Sequence, residues 1–136
     1  FIANRTKEKA VFLENEIKKL NKNVITCTDD LKLENVKKED IDIIINATSI
    51  GMYPMEKMSP IELKGFKENT VVYDIVYKPK ETKLIKEAKK MGLKTLSGLS
   101  MLFEQAILSQ KIWLNLDENF LKKAKKVEGI LASYVE

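Results

Sequence analysis

Polar side chains fall at three places in this sequence where a chain can hold a ligand. They are Asn4-Arg5-Thr6, the run Asn46-Ala47-Thr48-Ser49-Ile50-Gly51-Met52, and Asp74 with Tyr77 three residues on. Arg5 is the one guanidinium among 24 basic residues, and a guanidinium is the group best suited to forked hydrogen bonding of a phosphate and to stacking on a flat ring. Thr6 beside it is placed to cap a helix, where it offers a hydroxyl and a helix-start N–H to an anion. The second run is small and polar, so a ligand can approach its backbone closely, although a plain turn uses the same residue types. Asp74 lies inside an apolar stretch, where a carboxylate needs hydrogen bonds or a partner. It reads as a member of a structural network rather than a base. Tyr77 ends that stretch with a phenol able to donate to a ligand oxygen. Gln105 interrupts an apolar helix, where an amide facing inward needs a partner.

Other chemistries are excluded by composition. The chain has no His and one Cys, so the usual zinc sites, Ser/His/Asp triads and Cys/His pairs cannot be assembled from it. Chemistry must therefore use Lys, Asp, Glu, Tyr or a bound cofactor. The lone Cys27 excludes an internal disulfide, fits a reducing compartment and is expected in the core. The net charge is +4, but Lys and Glu interleave, as at Lys86-Glu87-Ala88-Lys89-Lys90, which describes a solvated surface rather than a nucleic-acid patch. With 136 residues, 44% hydrophobic and 32% charged, the chain has the size and balance of one soluble globular domain. No apolar run approaches the ~18 residues of a membrane span, and no signal peptide is visible. The abrupt start at Phe1 without Met suggests a segment of a longer chain, and a cytoplasmic location is expected.

The elements that must position these residues follow from periodicity. Phe1-Ile2-Ala3 reads as the end of a strand, and Ala10, Leu13, Ile17 and Leu20 form one buried stripe of the helix capped by Thr6. Val24 to Thr28 is a β-branched strand, and 29–40 is loop with a helical turn. Ile41 to Asn46 and Thr70 to Tyr77 are nearly continuous apolar strands, which predicts burial on both faces, as in a parallel sheet. Between them lies a turn-rich loop, and Pro79 stops the second. Thr82 caps a helix carrying Leu84, Ile85, Ala88 and Met91, closed by Gly92. Leu93 to Leu96 is the last strand, a long helix runs from about Leu99 to Leu114, and a final helix begins near Asp117 with Phe120, Ala124, Val127 and Leu131 on one side. This is the rhythm of a doubly wound α/β sheet, whose ligands bind at the carboxyl ends of the strands. Arg5 then stands where an acidic residue would grip the ribose of NAD, and suggests a 2′-phosphate instead. A complete dinucleotide fold opens with a Gly-rich phosphate loop. No G-x-G-x-x-G occurs here, the five Gly being at 51, 65, 92, 98 and 129.

Four ordered motifs resemble the C-terminal, NADP-binding portion of the shikimate dehydrogenase family. They are Asn4-Arg5-Thr6 with Lys9, Asn46 to Met52, Asp74-Ile75-Val76-Tyr77-Lys78-Pro79 with Thr82, and Gly98-Leu99-Ser100-Met101-Leu102-Phe103-Glu104-Gln105-Ala106. The resemblance implies an incomplete Rossmann-like parallel sheet with two C-terminal helices, residues 1–136 forming a partial NADP-binding domain that includes the helices from about 99. It implies that Asn4, Arg5, Thr6 and Lys9 clamp the adenosine 2′-phosphate, that Thr48 and Ser49 contact the cofactor, and that Ile75 and Gly98 wall the nicotinamide. Tyr77 and Gln105 become substrate-binding residues. Ser100 stands where the family usually has a second Gly, a change tolerated if its φ is negative.

The implied activity is NADPH-dependent reduction of 3-dehydroshikimate to shikimate, with a quinate/shikimate dehydrogenase, or a non-catalytic NADP-binding or protein-interaction module, as alternatives. The family's catalytic Lys and Asp belong to an N-terminal domain that this sequence does not contain, so no catalytic residue is assigned and the isolated chain is expected to be inactive. In the strand order 3-2-1-4-5-6 the missing first strand is central, which leaves two unpaired inner edges. Another chain can supply a strand, the second and fourth strands can close directly, or the missing part is present in the native protein. Self-association is expected. No metal, nucleic acid or membrane is expected as a partner.

Overall fold

The structure, a computed structural model, describes residues 1–20, 26–27, 36–127 and 129–130. It divides into two compact units, Phe1–Asp40 and Ile41–Glu136. In the first, strand β1 (Ile2–Ala3) leads into helix α1 (Lys7–Lys18) and then to strand β2 (Thr26–Cys27). The strands pair in parallel, Ile2 opposite Thr26 and Ala3 opposite Cys27. The helix carries the expected apolar spacing, but the stripe is not buried as a whole: Ala10 is fully buried, whereas Leu13, Ile17 and Leu20 are exposed. Two strands of two residues cannot cover a 12-residue helix. Thr6 also differs from expectation, since its side chain makes no capping bond to the helix. A 3-10 turn at Lys38–Asp40 supplies the expected helical turn. Val24, Ile25, Thr28 and the packing of the Cys27 side chain lie outside the described residues.

The second unit is built on three parallel strands, β3 (Ile43–Asn46), β4 (Val71–Asp74) and β5 (Lys94–Ser97), with β4 in the middle. The register aligns Ile45, Tyr73 and Leu96 in one row and Asn46, Asp74 and Ser97 in the next. Successive side chains of a strand alternate between faces. One face therefore carries Ile44, Asn46, Val72 and Asp74, and it is covered: Val72 and Asp74 are wholly buried, as are Leu84 and Ala88 of helix α2 (Lys83–Lys90). The other face carries Ile43, Ile45 and Leu96, which are 57%, 60% and 52% exposed. Burial of the Ile41 to Asn46 stretch on both faces is thus not what the chain adopts. Helix α2 covers one side of the sheet only, and the strand itself is shorter than its apolar run.

Strand β4 is shorter too, ending at Asp74 rather than Tyr77. The Asp74 carboxylate accepts a hydrogen bond from the Val76 N–H at 3.0 Å, a local side-chain bond that competes with continued strand pairing. Helix α2 begins and ends as its residues require. The Thr82 hydroxyl accepts from the Ile85 N–H at 3.3 Å. At the other end Gly92 takes φ +74°, and the N–H groups of Gly92 and Leu93 return to the carbonyls of Lys89 and Ala88, closing the last turn. Helix α3 (Gly98–Trp113) buries Leu99, Phe103 and Ile107, four residues apart, and leaves Met101, Leu108, Ile112 and Trp113 exposed. Helix α4 (Glu118–Ala124) follows and runs into a 3-10 turn at Lys125–Val127, while Leu131 lies outside the described residues. Ser100 sits in α3 without a positive φ, as its replacement of a Gly demands.

Candidate functional site

In the first unit Asn4, Arg5, Thr6 and Lys9 gather where β1 meets α1. The Asn4 Oδ1 accepts a hydrogen bond from the Thr6 N–H at 2.8 Å, so the asparagine holds the chain in the turn that precedes the helix. The Thr6 carbonyl accepts from the N–H groups of Lys9 and Ala10 at 3.1 and 3.3 Å, which starts the helical pattern. Arg5 and Lys9 are exposed on this turn, beside the positive end of the helix dipole. A groove of about 390 Å³ alongside is lined by Asn4, Glu8, Lys9, Phe12 and Leu13. Two positive side chains and a helix start favour an anion here, and the Glu8 carboxylate opposes one. The exposed ring of Phe12 was not singled out from sequence. An aromatic residue two positions beyond the buried Ala10 is the signal that marks it.

In the second unit the C-terminal ends of the three strands come level, since Asn46, Asp74 and Ser97 are in register. Beyond Asn46 the chain folds back through the loop 47–51. The Asn46 Oδ1 accepts from both the N–H and the hydroxyl of Thr48, at 3.1 and 2.7 Å. The Thr48 hydroxyl accepts in turn from the Ile50 N–H at 3.1 Å. The Asn46 amide donates to the Ile50 carbonyl at 3.0 Å. Thr48 and Ser49 are left at the exposed crest of a loop whose shape is set from below. Gly51 takes φ +103°, and a Cβ there would stand 3.1 Å from the Thr82 methyl. The glycine at this position thus answers both the backbone conformation and the space.

Ile75 and Gly98 are brought into direct apposition. A Cβ placed on Gly98 would lie 1.9 Å from the Ile75 carbonyl oxygen and 2.4 Å from its carbon. The start of α3 therefore passes against the end of β4 backbone to backbone, which only glycine permits. Glycine here serves close packing of a helix on a strand end, one of the uses of glycine in dinucleotide folds. Asp74 is a network member, as its position in an apolar strand suggested. It is fully buried and accepts from the Asn46 amide at 2.9 Å and the Thr82 hydroxyl at 2.6 Å, besides the Val76 N–H.

Tyr77 lies just past the Asp74 turn, 45% exposed. Gln105 lies on the exposed side of α3, its amide donating to the Ser109 hydroxyl at 3.0 Å, so it is the outward-facing case. A cleft of about 240 Å³ at the end of β5 is lined by Lys80, Glu81, Ile85, Lys89, Thr95, Leu96, Ser97 and Ser100, none of which was expected to form a site. Within it Lys89 donates to Glu81, and that hydrogen bond, with the lysine charge, holds the Glu81 carboxyl below its usual range. Among the described residues no cluster of His, Cys, Asp and Glu could hold a metal ion, and no helix is long and apolar enough to cross a membrane.

No family model matches the chain. Its sequence is 46% identical to the NADP(+) shikimate dehydrogenase of Methanocaldococcus jannaschii over 122 residues, 87% of this chain and 42% of that enzyme. It is 41% identical to the NADP(+) shikimate dehydrogenase of Bacillus subtilis over 131 residues, 96% of this chain and 45% of that one. Among solved structures, a shikimate dehydrogenase crystallised in complex with NADP+ superimposes with a TM-score of 0.80 at 35% identity, covering 99% of this chain and 46% of that one. The chain thus spans under half the length of the curated relatives it matches.

Proposed function

We propose that this chain, homologous along most of its length to the C-terminal part of shikimate dehydrogenases, is the cofactor-binding part of an NADP-dependent shikimate dehydrogenase. The whole protein would reduce 3-dehydroshikimate to shikimate. The observation that carries the reading is the backbone apposition of Gly98 and Ile75 at the level ends of three parallel strands, in a chain 99% covered by the fold of an NADP+ complex. Residues 1–136 are taken as a partial NADP-binding domain that includes the helices from Gly98 onward, and the cytoplasm as its location.

NADPH supplies a hydride when bound. The chain's own residues bind and orient. Arg5 and Lys9, with the turn that Asn4 and Thr6 shape, meet the two negative charges of a 2′-phosphate, which NAD lacks. Thr48 and Ser49 offer hydroxyl and N–H groups at the crest of the 47–51 loop. Gly98, by letting the start of α3 close onto the Ile75 carbonyl, sets Gly98 and Ile75 side by side as the walls beside a flat ring. Tyr77 and Gln105, both exposed, offer a phenol and an amide to a hydroxylated or carboxylate substrate. None of these residues is assigned the proton transfer, and the chain spans under half the length of the curated relatives it matches. The 136-residue chain alone is accordingly expected to give no turnover with 3-dehydroshikimate and NADPH.

Calorimetric titration of the chain with NADP+ and NAD+ tests the reading. NADP+ is expected to bind more tightly, and Arg5→Gln should weaken NADP+ by about tenfold to a hundredfold, the range for a lost hydrogen bond to a charged group, while leaving NAD+ unchanged. Equal affinity for the two cofactors in the parent chain would remove the 2′-phosphate assignment.

A further inference from the structure

Asp74 has no role in the contacts proposed above, and being fully buried it cannot touch a ligand. Its hydrogen bonds nonetheless come from three separate stretches of chain. Its Oδ1 accepts from the Asn46 amide at 2.9 Å, at the end of β3, and from the Val76 N–H at 3.0 Å, between Ile75 and Tyr77. Its Oδ2 accepts from the Thr82 hydroxyl at 2.6 Å, at the start of α2. The chain of bonds continues outward. Asn46 spends its second amide hydrogen on the Ile50 carbonyl and its oxygen on both donors of Thr48, and Thr48 accepts from Ile50. The Thr82 methyl packs beneath Gly51, whose Cβ position is 3.1 Å away and 3.9 Å from the Asp74 Oδ2.

We propose that Asp74 is a positioning residue, a buried anchor that sets the shape of the 47–51 loop and of the Ile75–Tyr77 turn together, and so presents Thr48, Ser49 and Ile75 to the cofactor. The inference rests on the NADP reading above. Three donors converge on one side chain, which in these bonds only accepts. Asn46 has both amide hydrogens engaged, one on Asp74 and one on Ile50, so loosening the first loosens the second. A carboxylate that only stabilised the core would not need its bonds to end on the two segments carrying proposed contact residues.

The test is Asp74→Asn, of equal size. The amide can still accept through one oxygen, but its NH₂ replaces an acceptor: turned toward Asn46 and Val76 it sets donor against donor, and turned toward Thr82 it makes that hydroxyl accept where it had donated. Thr82→Val removes a donor while keeping the methyl beneath Gly51, and Thr82→Ser keeps the donor. The readouts are calorimetric affinity for NADP+ and for 2′,5′-ADP, which lacks the nicotinamide half, and amide hydrogen exchange at Thr48, Ile50 and Val76. Asp74→Asn is expected to weaken NADP+ by about tenfold, to leave 2′,5′-ADP within about twofold, and to speed exchange at Ile50 and Val76. Thr82→Val should act in the same direction and Thr82→Ser should not. If Asp74→Asn does not fold, the Thr82 pair decides by the same criteria. Unchanged NADP+ affinity in a folded variant overturns the inference, and so does equal weakening of both ligands, which would mean a general loss of structure. A parent chain that binds neither ligand defeats the NADP reading itself, and the inference with it. A parent chain that binds 2′,5′-ADP as tightly as NADP+ overturns the inference while leaving the phosphate clamp standing.

Discussion

Replacing Gly98 by alanine puts the Gly98–Ile75 apposition to a direct test. An aliphatic carbon and a carbonyl oxygen in contact stand ~3.3 Å apart, so a Cβ placed 1.9 Å from the Ile75 oxygen overlaps it by ~1.4 Å. The obstacle is main chain on both sides, the end of β4 and the first turn of α3, so no side-chain rotation relieves it. Either α3 moves off the sheet or β4 bends. The first course disturbs the packing of Leu99, Phe103 and Ile107, all buried. Overpacking a core costs ~1–3 kcal/mol where side chains yield, and a backbone obstacle puts this substitution at the top of that range, about 3 kcal/mol. For a chain of this length each kcal/mol lowers the melting temperature by about 3–5 °C, so a fall of about 10 °C is expected by circular dichroism. On the proposed NADP reading, affinity for NADP+ should fall with it, because the Gly98–Ile75 contact is forced apart. Gly129→Ala is the control, since nothing lies within 4 Å of its Cβ position, and it should melt at or slightly above the parent. A Gly98→Ala protein that melts within about 2 °C of the parent and binds NADP+ equally well would refute the apposition.

Two further outcomes follow from the surface and the last helix. The Asp117 carboxyl is held below its usual range, chiefly because it accepts from the Phe120 N–H at 3.1 Å and also from the Asn119 side chain. A group depressed in the folded state adds stability above its unfolded pKa and loses it as pH falls through the folded value. Carbon-detected NMR titration should therefore show Asp117 ionising below a free aspartate, with the amide of Phe120 shifting in step, and a midpoint at or above the free value would count against the cap. Light scattering should show the mass of the chain rising with concentration, since β3 pairs only with β4 among the described residues and Ile43, Ile45 and Leu96 open an apolar face. A monomer at every concentration, unaffected by Ile45→Lys, would contradict this.

Much of the second unit was legible because its signals are local. Thr82 and Gly92 bracket α2 by residue type alone, and Asp74 in an apolar strand announced a hydrogen-bonded carboxylate. What sequence could not show was which faces get covered. The Ile41 to Asn46 run reads as a strand buried on both sides, yet burial depends on what packs against it, and α2 reaches one face only. The α1 stripe fails for the same reason, its spacing being right and its cover too small. The end of β4 was misplaced by three residues because β-branched Ile75 and Val76 favour a strand, while the Asp74 side chain captures the Val76 N–H and turns the chain. Thr6 looked like a cap by type, but the bond that shapes that turn comes from Asn4. The Gly98–Ile75 contact joins residues 23 apart in the chain, and no periodicity carries such information.

The strand pairing bears on the expectation of a missing central strand. In a doubly wound sheet of order 3-2-1-4-5-6, neighbours 2 and 3 lie on one side of strand 1 and neighbours 4, 5 and 6 on the other. Among the described residues β1 pairs with β2, and the second unit's strands pair in the order β3-β4-β5, the pairings this order gives to positions 2 and 3 and to positions 4, 5 and 6. The Asn4–Thr6 turn is closed within the first unit, and the bonds that join Asn46, Asp74 and Thr82, like the Gly98–Ile75 contact, are closed within the second. The residues proposed to meet the cofactor in each unit are thus held by bonds of that unit, so that 2′,5′-ADP and NADP+ can report on the two groups separately.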